Sequence, residues 1–397
     1  MSFKDLLDKY NSGHASEEEI KLIEEELDKH EAIEDYLSES YNVGLEKDSL
    51  QIDTNNETTF IKRSVNRRLR KVILFSVSIV FLILFATHFI VSPIISSLYY
   101  NPAQKTVSKY HGDLYFDLKV FTELNLPGYA INTAGAEALG FGEYNVYFVR
   151  SNLFNRESDQ INAKINKNLR NGSLQDFFPY SYFGFIDIIQ PDPIRDGYAE
   201  MQNKEVINHI QALNPVSYVS ANILFKQDLS VEEFNELRTK YDGKINFKWV
   251  GIRTGSEGKP IDYLSGFNPN LNDGSTSGDS ADKEKYPYLQ LADVFRNRDN
   301  RTRSISIMIE AYTKHFTSLL RYMNDREEAV RTLDYNPLKV DYYRNALNYV
   351  EKNGVNTYGA LVYGEAGALL EFINNEKAKT IEINSVLPSK YINNITM

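Results

Sequence analysis

The sequence predicts a multidomain chain: a small all-α module, one transmembrane helix, and an α+β region beyond it. Three observations point that way. First, 397 residues exceed one ordinary domain, and 42% hydrophobic with 25% charged residues is the balance of a folded protein. Second, the charge falls into three blocks. Residues 1–60 hold 17 Asp/Glu against 5 Lys/Arg, residues 62–71 hold six cations and no acid, and residues 72–397 carry 37 acidic against 33 basic side chains. Third, residues 72–91 run VILFSVSIVFLILFATHFIV, 20 positions without a charged side chain. There is no cysteine, which excludes disulfides, thiolate metal sites and a cysteine nucleophile. A net charge of −10 argues against direct binding to nucleic acid, which calls for a basic footprint.

Residues 1–41 read as a helical pair. Phe3, Leu6, Leu7 and Tyr10 fall at helical spacing until Asn11-Ser12-Gly13 breaks the pattern. Ser16 and Glu19 have the spacing of a capping box, and Glu17 and Glu18 suit the positive end of a helix dipole. Ile20, Ile23 and Leu27 then form one stripe, continued by Ile33, Tyr36 and Leu37, on a helix whose other faces are acidic. Below about 40 residues a domain normally needs a metal, a disulfide or a partner. His14 and His30 lack the companions and spacing of a metal site, so a partner remains. The residues expected to meet it are Phe3, Leu6, Leu7, Tyr10, Ile20, Ile23 and Leu27, with acidic faces steering a basic protein.

Residues 42–71 read as a polar tether ending in a basic stop segment, and residues 72–98 as the transmembrane helix. Twenty residues at about 1.5 Å each span roughly 30 Å, the hydrocarbon thickness of a bilayer. Lys62, Arg63, Arg67, Arg68, Arg70 and Lys71 crowd the N-terminal side, and Tyr99 and Tyr100 suit the far interface. Positive charge stays inside, so the expected localisation is the cell membrane, single-pass. The N-terminus is then cytoplasmic and residues 99–397 are extracytoplasmic. His88, near the outer end of the span, reads as an interfacial imidazole.

The ectodomain reads in two parts. In residues 99–213, alternation at Leu114, Phe116, Leu118 and Val120 predicts a strand, and Glu143 to Arg150 a second. Ile161, Ile165 and Leu169, stopped by Asn171-Gly172, predict a helix, and Pro191 to Gly197 a turn. In residues 214–397, Val219, Ala221, Ile223 and Phe225 predict a strand. Ser230 and Glu233 cap a helix ended by Gly243, and Ile245, Phe247 and Trp249 form another strand. Near the end a strand from Thr357, a helix from Glu365 and a strand from Thr380 follow. The order β-α-β, β-α-β is the split βαβ of ferredoxin-like folds. Its interval holds a Gly/Asn/Ser/Asp-rich loop at 265–285. A helical insertion follows, carrying Ile305, Ile309, Tyr312, Phe316, Leu319 and Met323, with a second helix from Leu338.

No nucleophile elbow, zinc-protease motif or P-loop is present, and Gly140-Phe141-Gly142 lacks the third glycine of a dinucleotide loop. His111, His209 and His315 are scattered, and Asp192 and Asp196 flank a proline turn. No catalytic residue, cofactor site or metal site is therefore expected. Arg296, Arg298, Arg301 and Arg303 offer an anion site for wall polymer or lipid phosphate, set against a solvated loop paired to Asp293 and Asp299.

The opening FKDLLDKYNSGHASEEEIKLIEEELDKHEAIEDYL and the closing YGALVYGEAGALLEF resemble the sigma factor regulator family. So does the order of helical pair, basic stop, single span and ectodomain. These are single-pass bacterial anti-sigma factors, including the anti-sigma-M type. The resemblance implies an extracytoplasmic-function, sigma-M-like partner held by the N-terminus, and an ectodomain that responds to envelope stress. It implies no enzyme activity. Many anti-sigma factors carry a His-x3-Cys-x2-Cys zinc motif, which this chain lacks. Membrane lipid, a membrane protein partner or self-association complete the expected contacts. The competing classes are an exported, membrane-anchored hydrolase and a structural envelope protein.

Overall fold

The computed structural model describes residues 9–13, 15–42, 54–171, 193–256, 263–270, 281–296, 305–334, 338–376 and 378–390. The chain divides into two units, Met1–Phe81 and Leu82–Met397. In the first, helix α1 (Glu17–Asn42) begins at the expected capping box. The Ser16 amide donates to Glu19 Oε2 at 2.9 Å and the Glu19 amide donates to Ser16 Oγ at 3.3 Å. Helix α2 (Thr54–Ala86) starts well before the basic segment, so the expected tether over 42–60 is corrected at its C-terminal end. The basic stop and the apolar run form one continuous helix. A π turn (Thr87–Val91) and the short α3 (Ser92–Ser96) complete it.

The second unit is α+β. Helix α4 (Asp113–Asn125) precedes an antiparallel meander, β1 (Tyr129–Gly140), β2 (Glu143–Asn152), β3 (Ser158–Asn166) and β4 (Leu169–Asn171). Two expectations are corrected here. The Leu114–Phe116–Leu118–Val120 alternation lies on α4, not a strand. Tyr115, Asp117, Phe121 and Leu124 are buried as well, so this helix is enclosed on all sides and its sequence has no polar face to mark the 3.6 period. Ile161 and Ile165 lie on β3, not a helix. A spacing of four is one helical turn but also an even number, so it puts both side chains on one strand face. Opposite β2, Ile161 pairs with Phe148 and Ile165 with Tyr144.

Helix α5 (Pro193–Ala212) replaces most of the turn expected from Pro191 to Gly197. The five-stranded sheet follows: β5 (Tyr218–Ser230), α6 (Val231–Lys240), β6 (Ile245–Ile252), β7 (Gly266–Phe267), then α7 (Asp293–Arg296), α8 (Ile305–Asp325), α9 (Glu327–Leu333) and α10 (Leu338–Asn353). Strand β8 (Asn356–Glu365), α11 (Ala366–Glu376) and β9 (Thr380–Leu387) complete it. The strand order is β7-β6-β8-β5-β9, with every recorded pairing antiparallel. Without the two-residue β7 this is the split βαβ arrangement, in which β8 separates β5 from β6 and β5 separates β8 from β9. Ser230 caps α6 in a full capping box, and Gly243 (φ 76°) closes the turn into β6.

One face of the sheet supplies Val219, Ala221, Ile223, Phe247 and Val362 to a core shared with Phe234, Tyr312, Phe316 and Phe372 of the helices. The other face carries a smaller cluster of Tyr218, Trp249, Tyr358, Leu361 and Tyr363, joined by Phe154 from the meander. Strand β5 is therefore buried on both faces from Tyr218 to Phe225, including Ser220 and Asn222.

A buried ion pair sits where α4 meets α8. Asp117 is fully buried and accepts Arg326 Nε and Nη2, each at 2.9 Å, in a bidentate fork. The Tyr100 and Tyr322 hydroxyls donate to its remaining lone pairs at 2.6 and 2.8 Å. Arg326 also lies 3.1 Å from Asp113 Oδ2, one turn earlier on α4. Burial, then the charge of Asp117, drives both tyrosine hydroxyls well above their ordinary pKa. Burial alone would lower the Arg326 pKa, but the hydrogen bonds it donates to Asp117, with the charge of that carboxylate, outweigh it and the value rises. Replacing Arg326 with Met leaves the Asp117 carboxylate buried without its cation. Chemical unfolding should then show a loss of about 3–5 kcal/mol. A loss under about 1 kcal/mol would mean that the pair carries little of the fold.

Lys339, at the start of α10, is also buried. Its Nζ lies 3.8 Å from the ring centre of Tyr263 and between 5.3 and 5.9 Å from those of Tyr342, Tyr343 and Phe121. Burial pulls its pKa down to about 7, against the opposing pull of Asp334. Between that value and the ordinary lysine value of about 10.4, the unfolded chain holds a proton that the folded chain has released. Unfolded chains bind more protons across this window, so stability rises with pH. Thermal melts at pH 7 and 9 should show a rise for the native chain that Lys339→Met lacks, whereas parallel pH dependences would contradict the assignment.

Candidate functional site

The stripe expected to meet a partner can be followed only in part, because Phe3, Leu6 and Leu7 lie outside the described residues. The remaining four do not share one environment. Ile23 is fully buried, Ile20 is half-buried, and Tyr10 and Leu27 are exposed at 42% and 49%. Ile23 is therefore a packing residue of the unit. Exposed apolar side chains continue along α1 from Leu27 through Ile33 and Tyr36 to Leu37. Around them α1 is acidic, with Glu17, Glu18 and Glu19 in its first turn and no basic residue in its last. Lys9 reaches Glu19 at 3.0 Å, and Lys29 reaches Glu26 at 2.8 Å. Both are surface pairs of small energetic weight. The backbone amide of Ser16, followed by Lys9, lowers the Glu19 pKa and keeps this cap ionised.

The helical stretch Lys62–Ser96 is the one candidate membrane span among the described residues, by length and composition, and none of its apolar window is buried by protein. From Val72 to Phe85, the Val, Ile, Leu and Phe side chains stand 43–69% exposed. Exposed apolar area on this scale has no stable place in water. Lys62, Arg63, Arg67, Arg68, Arg70 and Lys71 are all exposed at its N-terminal end.

Within the second unit, the β1–β2 hairpin tip grips the end of this helix. The Phe141 amide donates to Ser92 Oγ at 2.9 Å, and the Gly142 amide donates to Ser96 Oγ at 3.0 Å. Gly140 and Gly142 have φ of 95° and 79°, and a Cβ on Gly140 would lie 2.8 Å from Ser92 Oγ. The Gly140-Phe141-Gly142 motif thus serves a tight turn against the helix. Beside it lies a groove of about 920 Å³ lined by His88, Phe89, Tyr99, Tyr100, Arg326 and Glu327, among others. His88 and Arg326, the cation of the buried ion pair, both line it.

The other expected residues separate. Arg296 ends α7, while Arg298, Arg301 and Arg303 lie outside the described residues. Asp293, named as a partner for that cluster, is buried and lies 3.6 Å from Lys283 Nζ. His315 is buried, with Nε2 2.9 Å from Glu123 Oε1 and Nδ1 donating to the Tyr288 carbonyl at 2.7 Å. Burial would raise the Glu123 pKa, but the charge and hydrogen bond of His315 outweigh it and lower the value. Among the described residues no group of three His, Asp or Glu side chains could hold a metal ion. Sequence reasoning missed the Asp113/Asp117/Arg326 cluster. The one available signal was the four-residue spacing of the two aspartates, which places them on one face once α4 is recognised as a helix.

No curated protein and no solved structure matches the chain. A family model does: residues 210–385 match the sigma factor regulator C-terminal family. The matched stretch begins in the last turn of α5 and ends in β9, so it takes in the split βαβ sheet and its helical insertion. That match identifies residues 210–385 as a sigma factor regulator C-terminal family domain.

Proposed function

We propose that this sigma factor regulator is a membrane-anchored anti-sigma factor. Its N-terminal acidic helices sequester an extracytoplasmic-function sigma factor of the sigma-M-like type, and its ectodomain receives an envelope signal. The observation that carries the reading is the joint presence of two features on one chain. One is the regulator domain at 210–385, and the other is an acidic helix with exposed apolar side chains, Leu27 and Ile33 among them, on the same chain as a basic-flanked candidate span. An exposed apolar surface inside an acidic field suits a basic partner, and a sigma factor must offer a basic surface to meet DNA. The six cations at 62–71 favour a cytoplasmic N-terminus. The chain then acts by binding rather than by catalysis.

Release follows from association in the membrane or from proteolysis of the span. One helix in lipid has no second packing arrangement of its own, so it needs a partner or a cleavage to switch. Ser76 and Ser78 offer small positions for close approach in the inner half of the span.

The exposed positions test the binding face without disturbing the buried one. Replacing Leu27 and Ile33 with Asp should free the sigma factor and raise its regulon constitutively, since each buried aliphatic contributes about 1.5–3 kcal/mol. Unchanged reporter output, with the variant present in membranes at normal level, would exclude this face.

Topology gives a separate check. A reporter fused to the C-terminus should be active only if it functions outside the cytoplasm. Activity of a reporter that works only inside would reverse the orientation and remove the basis for sigma binding.

A further inference from the structure

A second cavity, of about 370 Å³, lies between the meander and the face of the five-stranded sheet that no helix of the main core covers. Its composition is unusual for a sheet face. Strand β5 contributes Ser220 and Asn222, buried at 3% and 5% exposure, where an ordinary packed strand would place aliphatic side chains. Strand β9 adds Glu382 and Asn384, and the Asn222 amide donates to Asn384 Oδ1 at 2.9 Å. The meander adds Asn152 and Phe154. The Phe154 and Tyr363 rings meet edge to face at 4.9 Å and make an apolar floor beside this polar strip.

No Lys, Arg or His is among its lining residues, so a phosphate or carboxylate would enter without a counter-charge and beside Glu382. Burial raises the Glu382 pKa, which further marks the site as poor for anions. Addition of a peptide strand along the whole of β9 is also disfavoured, because its edge is capped at its start. Asn203 of α5 accepts the Ile381 amide at 3.0 Å and donates to the Lys379 carbonyl at 2.8 Å. What remains is a neutral ligand that is apolar on one face and rich in hydroxyls around its edge. Amide and hydroxyl side chains both donate and accept, as vicinal hydroxyls require. The volume falls near the lower end of small-molecule sites, roughly 300–1,000 Å³, which is room for one or two sugar rings.

We propose that this cavity is a binding site for a neutral saccharide. The site is not carried by the N-terminal module, so it stands whether or not that module holds a sigma factor. Gly128 shapes the wall: its φ is 79°, and a Cβ there would lie 2.7 Å from the Tyr363 hydroxyl and 2.8 Å from Leu361. Trp249, the chain's single tryptophan, pairs across the strands with Leu361 on this face and gives an intrinsic optical signal.

The test uses the full chain in detergent, titrated with N-acetylglucosamine, its β-1,4-linked disaccharide, glucose and, separately, inorganic phosphate. Calorimetry and Trp249 fluorescence should show saturable binding of at least one saccharide with a Kd of about 10 mM or tighter, and none of phosphate. Asn384→Ala, at an exposed position, should weaken that binding about fivefold or more with an unchanged melting temperature, the effect of one lost neutral hydrogen bond. Glu382→Gln should retain saccharide binding, because the amide still hydrogen-bonds to hydroxyls. Failure of all three saccharides to bind, binding of phosphate instead, or saccharide binding untouched by Asn384→Ala would each overturn the assignment.

Discussion

The second unit depends on one buried charge pair. Asp117 and Arg326 are 209 positions apart in sequence, yet they join three parts of the structure. Tyr100 brings in the segment that follows the span, Asp117 the helix under the meander, and Tyr322 with Arg326 the helical insertion of the regulator domain. Two ions taken out of water carry a desolvation cost that their attraction recovers only with good geometry and satisfied lone pairs. Here the bidentate fork and two tyrosine hydroxyls meet that condition. Removing one partner would leave a buried charge at the point where three segments meet.

The same pair lies beside the groove at the end of the apolar helix, since Tyr100 and Arg326 both line it. The end of the span is held from the other side by Ser92 and Ser96, whose hydroxyls accept the hairpin-tip amides. The C-terminal end of the helix is therefore tied into the second unit rather than joined to it by a loose linker. On the N-terminal side, α2 runs without a break from Thr54 through the basic segment into the span. A change at the apolar run would reach back as far as Thr54 through this continuous helix, so the C-terminal part of the stretch expected as a polar tether is helical instead.

Much of the regulator domain was legible in the sequence because its signals are local. The Ser230/Glu233 box, Gly243 as a helix stop, and the alternation in β5, β6 and β8 each identify an element without reference to the rest. The misread elements are those where local pattern carries two meanings. Helix α4 is buried on every side, so its polar Asp113 and Asp117 look like the outward face of a strand. Ile161 and Ile165 fit a helix turn and a strand face equally, and only pairing with β2 decides. Strand β7 and helix α9 are too short for a periodic signal. Of the candidate site, the acidic stripe was readable, but the inward turn of Ile23 and the exposure of Leu27 were not. Both lie on the same periodic face, and which of them packs depends on contacts that the sequence does not reveal. The saccharide cavity draws on positions 152, 222, 363 and 384, brought together by the fold alone.

The central claim is that the N-terminal helices hold a sigma factor at the membrane. Its most direct test is affinity capture of the tagged full chain from solubilised bacterial membranes, beside a version lacking residues 1–41. The account predicts that the full chain retains an extracytoplasmic-function sigma factor and that the shortened one, inserted in the membrane at equal level, does not. Recovery of no sigma factor by the full chain, or equal recovery by both, would contradict it.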